Sequence, residues 1–180
     1  MLIVLGGLPG VGKTAIAREL ARAAGALHLR IDSIEQAIRQ SALRVEVVED
    51  AGYRAAYVVA EDNLKLGLTV IADSVNPLRA TRAAWAAVAT RAHVPIVEVE
   101  IMCSDTDEHR RRVEARTSDI PGHALPTWQD IVEREYHSWD REHLVIDSSH
   151  QSISQSVKTI RSTMTFVAAS RGPWRPYGLP

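Results

Sequence analysis

The chain holds one cysteine, Cys103, in 180 residues, so no disulfide can form within it and a cross-linked scaffold is excluded. Aromatic residues make up only 5% of the sequence, with a single phenylalanine, so a core must be built from aliphatic side chains. No apolar run approaches the roughly 18 residues that a membrane-spanning helix requires. Residues 2–5 lead straight into glycines rather than into the apolar stretch and cleavage site of a signal peptide. No membrane partner and a cytoplasmic location are therefore expected. Charge of one sign is also lacking: 21 Lys and Arg face 22 Asp and Glu, giving a net charge of −1. That balance removes any chain-wide basic field for nucleic acid but leaves room for a local groove. The seven histidines show no H-x-x-x-H or Cys–His pairing, so no zinc site is expected.

What the sequence does contain is alternation. Residues 2–5, 27–31, 68–72, 96–102 and 144–146 are short apolar or β-branched runs that read as strands. Between them, 13–24, 33–40, 53–66 and a stretch from Asn76-Pro77 through Val88 carry helical spacing. Asn76 is expected to cap that last helix with Pro77 in its first turn. Ser104 with Asp107 suggests a capping-box-like start to a helix running towards Arg116. Residues 127–139 read as helical, and 152–169 as a closing helix. The stretch 41–50 is ambiguous. Strands alternating with helices predict an α/β fold: a doubly wound parallel five-stranded sheet in one domain spanning 1–170. Residues 171–180 form a proline-rich tail, whose Trp174 and Tyr177 are expected to dock on this subunit or a neighbour. Monomer and homodimer both stay open.

The strongest local signal is Gly7-Leu8-Pro9-Gly10-Val11-Gly12-Lys13-Thr14, a complete G-x-x-x-x-G-K-[ST] motif between a strand and an amphipathic helix. Its glycines let successive backbone N–H groups curl inward as an anion nest, and the helix dipole adds to the field. Residues Leu8, Pro9, Gly10, Val11, Gly12, Lys13, Thr14 and Ala15 are thus expected to cradle the phosphates of ATP. Lys13 is expected to reach the β- and γ-phosphates, and the Thr14 hydroxyl to ligate Mg2+. No N-K-x-D motif is present to read guanine.

Two acids follow strand ends, where ligands of such sheets collect. Asp32 is the candidate base that accepts an acceptor's hydroxyl proton, against the blander role of a helix cap. Asp73 is expected to organise the metal or to be a buried acid satisfied by backbone N–H groups of 74–76.

The run Val70-Ile71-Ala72-Asp73-Ser74-Val75-Asn76-Pro77-Leu78-Arg79 resembles the third-strand segment of phage-type polynucleotide 5′-kinase. Ile31-Asp32-Ser33-Ile34 is similar to the base-bearing segment of chloramphenicol phosphotransferase. Residues 1–139 thus resemble the small-molecule and polynucleotide kinases among the AAA-like ATP-binding proteins, of the P-loop, nucleoside-monophosphate-kinase-like type. The resemblance implies a sheet ordered 2-3-1-4-5, a catalytic base at Asp32, and a lid at about 114–126. It also implies that Arg116 clamps the transferring phosphoryl group and that Arg112 stacks on the base or holds phosphate. Arg112 and Arg116 are four apart and are expected to share a helix face. In the polynucleotide kinases an arginine stands three residues after the base; here that position is Glu35. A carboxylate there repels phosphate, so a small-molecule hydroxyl acceptor, neutral or cationic, is expected before a nucleic-acid or nucleoside 5′-hydroxyl. An ATP-switched binding protein that hydrolyses slowly is the reading from another class.

Overall fold

The computed structural model describes residues 1–43 and 45–170. The tail expectations for Trp174 and Tyr177 therefore lie outside the described residues. In chain order the elements are β1 (Leu2–Gly6), α1 (Lys13–Ala24), β2 (Leu27–Arg30), α2 (Ile31–Arg39), α3 (Ala51–Lys65) and β3 (Val70–Asp73). They continue with α4 (Arg79–Arg91), β4 (Ile96–Met102), α5 (Thr106–Glu114), α6 (Trp128–Val132), β5 (Leu144–Asp147) and α7 (Ile153–Ser170).

All four strand pairings are parallel, and the sheet runs β2-β3-β1-β4-β5. The expected order is the observed one. A parallel sheet needs cover on both faces, and strand alternation supplies it here. In β1, Leu2 and Val4 point into a core shared with Ala56, Leu64 and Trp85. Ile3 and Leu5 point to the other side, against Ile16, Leu20 and Ile160. The few aromatics are used sparingly: Trp85 is fully buried and meets Tyr57 edge-on at 4.6 Å. Among the described residues, no helix is long and apolar enough to cross a membrane.

Several boundaries differ from expectation. Asn76 does not cap a helix. It is fully buried with φ of 51°, its N–H donates to the Tyr53 hydroxyl, and α4 starts at Arg79 with Leu78 before it. The start of α5 is capped by Asp105, whose carboxylate accepts the Glu108 N–H at 2.9 Å, rather than by Ser104. The helix expected over 127–139 is only α6, opened by a Thr127–Asp130 capping box. Its continuation is drawn onto β4 instead. Tyr136 donates to Glu100 at 3.0 Å, Trp139 lies over the buried Arg82 guanidinium at 4.2 Å, and the His137 carbonyl accepts from Arg82. Glu100 and Arg82 are polar groups placed against the sheet, and partnering them outweighs the helical propensity of that segment. Residues 41–50 are irregular where described, and Val48 among them is buried.

Candidate active site

The loop 7–14 leaves β1 beneath β4 and enters α1. Gly7 has φ of 133°, and a Cβ there would lie 2.0 Å from the Ile101 carbonyl oxygen. Gly10 has φ of 88°, and a Cβ there would strike the Val113 side chain at 2.5 Å. Only glycine combines these left-handed angles with so close an approach. Leu8 packs beside one core and Val11 is buried within it, which anchors the loop from below. His109 of α5 braces it from the side, through Nε2 at 2.8 Å from the Pro9 carbonyl.

Above the loop lies a cavity of about 1060 Å³. Pro9, Gly10, Gly12, Lys13, Thr14 and Ala15 form its floor. Lys13 is 92% buried by its 8% exposure, and Nζ donates to the Leu8 carbonyl at 2.8 Å. Burial pulls its amine down to about 8, while Asp73 and Asp32 support the charge and Arg116 and Arg134 oppose it. Those four groups are the charged neighbours that Lys13 feels across the cavity.

Asp32 lines the same cavity from the second position of α2, where it makes no capping bond; Arg30 precedes that helix. Asp73, at the end of β3, is almost fully buried and is paired with His28 Nε2 at 3.1 Å. That partner replaces the backbone N–H groups expected for it. The lysine floor, the two carboxylates and Thr14 therefore converge on one space.

The arginines arrive differently from expectation. Helix α5 ends at Glu114, so Arg112 and Arg116 do not share a helix face. Arg116 belongs to the loop beyond, where its N–H reaches back to Val113 at 3.4 Å in a tightened final turn. Both still line the cavity. Arg112 is braced by Glu108 at 2.7 Å and by the Ser148 hydroxyl and carbonyl at 3.0 and 3.1 Å.

Glu35 also lines the cavity, but its side chain packs on α3: a Cβ at Gly52 would fall 2.3 Å from Glu35 Cγ. Burial first, and Asp32 next, raise its carboxyl above the usual range.

Sequence reasoning missed Arg18, Arg30, Asp119 and Arg134, all of which line the cavity. Eight basic and five acidic residues surround it, so a chain of net charge −1 presents a basic cleft. Arg30 had a legible signal, since a strand that alternates Leu27 and Leu29 with His28 and Arg30 is polar on one side for a reason. Asp119 and Arg134 had none, because their placement depends on the course of the loop after α5. That loop covers the cavity. Gln36 and Gln40 of α2 donate to the Pro121 carbonyl at 3.2 and 3.0 Å, and Asp119 pairs with Arg18 and Arg30. His123 joins the lining from the same loop.

A family model described as AAA domain matches residues 2–134. Solved structures with this fold include a gluconokinase from Sinorhizobium meliloti, at 18% identity over 94% of each chain with a TM-score of 0.63. The Mycobacterium tuberculosis APS kinase CysC, bound to AMPPNP and APS, aligns at 19% identity, 91% of this chain and 96% of that one, with a TM-score of 0.68. Chaetomium thermophilum Kti12, in complex with ADP-AlF3, aligns at 22% identity, 93% and 98% coverage, and a TM-score of 0.64. No functionally curated protein matches the sequence. The architecture is that of a P-loop kinase-like protein.

Proposed function

The chain belongs to the AAA domain family, and we propose that it is an ATP-dependent kinase moving the γ-phosphoryl group to a hydroxyl of a small-molecule acceptor. One observation carries the reading. A phosphate-cradling loop with a buried lysine and a carboxylate beside a helix start open onto the same lidded cavity. Its volume lies just above the roughly 300–1,000 Å³ typical of ligand sites, enough for a nucleotide and a small partner. Support also comes from fold neighbours that are kinases of small molecules, the gluconokinase and the APS kinase, and from the nucleotides that CysC and Kti12 carry.

In this reading the loop amides from Leu8 to Ala15 hold the phosphates, and Arg112 offers a face to the base. Thr14 and Asp73 would hold Mg2+. The residues fit such an ion only in company with phosphate oxygens, since no group of three or more His, Cys, Asp or Glu forms a cage among the described residues. When bound, the ion neutralises phosphate charge. Asp32 takes the acceptor's hydroxyl proton as its oxygen bonds to the γ-phosphorus and the bond to the β-phosphate oxygen breaks. Lys13 and Arg116 stand where charge spreads over the transferring group, in a site the lid keeps dry.

The test is ATP consumption by the purified protein with and without fractions of a metabolite extract. A kinase consumes ATP in proportion to one fraction, and Asp32→Asn stops it. Slow hydrolysis indifferent to every fraction supports a nucleotide-switched binding protein instead. Efficient labelling of 5′-hydroxyl oligonucleotides supports a polynucleotide acceptor.

A further inference from the structure

Arg30 is the most deeply buried cation at the acceptor end of the cavity, with its side chain 6% exposed. Its Nη1 donates to both Asp119 oxygens at 2.9 Å. Its Nε has no hydrogen-bond partner and faces Asp32 Oδ2 from 3.9 Å. Asp119 also pairs with Arg18 of α1, so one lid carboxylate answers two guanidiniums from two different elements. The pairing holds the Asp119 carboxyl at about 2, through Arg18 first and then Arg30.

A buried guanidinium deprived of its counter-charge is strongly disfavoured. An acceptor entering beside Asp32 from beneath the lid meets that guanidinium, and lifting the lid removes Asp119. A ligand oxyanion restores the pairing that the lid gives up. Carboxylate, phosphate and sulfate all match the planar fork of arginine.

We infer that Arg30 and Arg18 form an anion subsite for the acceptor, and that Asp119 occupies it as an internal stand-in until an acceptor displaces it. The inference rests on the kinase reading of the cavity and specifies its acceptor: a small hydroxylated compound bearing an oxyanion a few bonds from the reacting hydroxyl. The spacing follows from Arg30, whose Nε faces the proposed base while Nη1 faces the anion position. This acceptor differs from the neutral or cationic one expected from Glu35, whose side chain is packed against α3. Displacement also couples occupancy to the lid, since Asp119 and the Pro121 carbonyl anchor the same loop.

Nitrogen-15 NMR at constant ionic strength reads the subsite directly, with sulfate as the probe and ADP with Mg2+ present throughout. In the unmodified protein, sulfate should shift the Arg30 Nε–H signal saturably. The lid amides of Asp119 and Gly122 should move with the same dissociation constant as the stand-in is displaced. Asp119→Asn, with Asp119→Ser as a second variant should the first fold poorly, should bind sulfate at least tenfold more tightly. Adding Arg30→Gln to either should abolish the effect. An Arg30 signal that sulfate leaves unmoved, lid amides that do not follow it, or affinity unchanged by both Asp119 variants would overturn the subsite and leave Asp119 a lid tether. The Gly12 amide reports nucleotide separately. A Gly12 signal indifferent to ADP counts against the kinase reading, whatever Arg30 does.

Discussion

His109 Nε2 donates a hydrogen bond to the Pro9 carbonyl at 2.8 Å, tying α5 to the crest of the phosphate loop. A carbonyl only accepts, so Nε2 carries the proton. The ring is 6% exposed and meets Trp128 edge-on at 5.2 Å, so α6 holds it in turn. His109→Phe keeps the ring and removes the bond, a net loss of about 1 kcal/mol. The expected result is a melting temperature lower by about 2–4 °C and nucleotide affinity weaker by about fivefold. Unchanged ATP affinity by calorimetry would mean that the glycines alone shape the loop.

Lys13 gives a pH signature. Folding lowers its amine from 10.5 to about 8, chiefly by burial, so the native chain gives up that proton before the unfolded chain does. The unfolded chain binds more protons between those values, so stability should rise with pH across about 8 to 10.5. Below pH 8 the cost of the buried charge is fully present. Catalysis runs the opposite way, because the cation is the useful form. The kcat/KM of the free protein should fall as pH rises through about 8. Lys13→Arg, charged throughout, should lack that alkaline limb even at reduced turnover, and Lys13→Met should abolish transfer while remaining folded by circular dichroism.

Asp32→Asn preserves shape yet cannot accept a proton. Acceptor-dependent turnover should drop by about 10²-fold or more, the usual scale for a lost general base. Nucleotide affinity should change less than twofold. Asp32 makes no capping bond in α2, so any loss of thermal stability should come only from the support its charge gives the buried Lys13 and Arg30. A lower melting point with turnover intact would reduce Asp32 to a helix residue.

Arg116 and Arg112 should separate kinetically. Arg116 lines the cavity from the lid loop and opposes the Lys13 charge, which puts it within electrostatic reach of the transferring group. Arg116→Gln should lower kcat by about 10²–10³-fold with little effect on the KM for ATP, as for other lost transition-state donors. Arg112, fixed against Ser148, should act on the nucleotide: Arg112→Gln should raise that KM and spare kcat. Steady-state kinetics at saturating acceptor distinguish the two, and equal effects on both parameters would refute the division.

The parallel sheet and the phosphate loop were legible in the sequence because each is written in local pattern, whereas the strand order came only with the resemblance to the P-loop kinases. Apolar runs of parallel strands, helical stripes and G-x-x-x-x-G-K-[ST] all act over a few neighbouring residues. Glycines at 7, 10 and 12 encode the left-handed turns directly, and Lys13 and Thr14 follow them in fixed register. The positions of Asp32 and Asp73 after their strands were equally local.

Distance in sequence hid the rest. Helical propensity over 133–139 yields to Glu100 and Arg82, which lie far from it in the chain and need partners against the sheet. Arg116 leaves its helix because α5 ends at Glu114 and the chain turns over the cavity. Arg30 and Asp119 are 89 residues apart, and their pairing exists only because the lid folds back onto β2 and α2. Net charge near zero concealed the basic cleft for the same reason: a sum over the chain carries no information about which charges the fold gathers on one side. Local pattern set the glycine-rich loop that floors the cavity, and long-range packing decided which charges the lid loop and β2 bring together beside it.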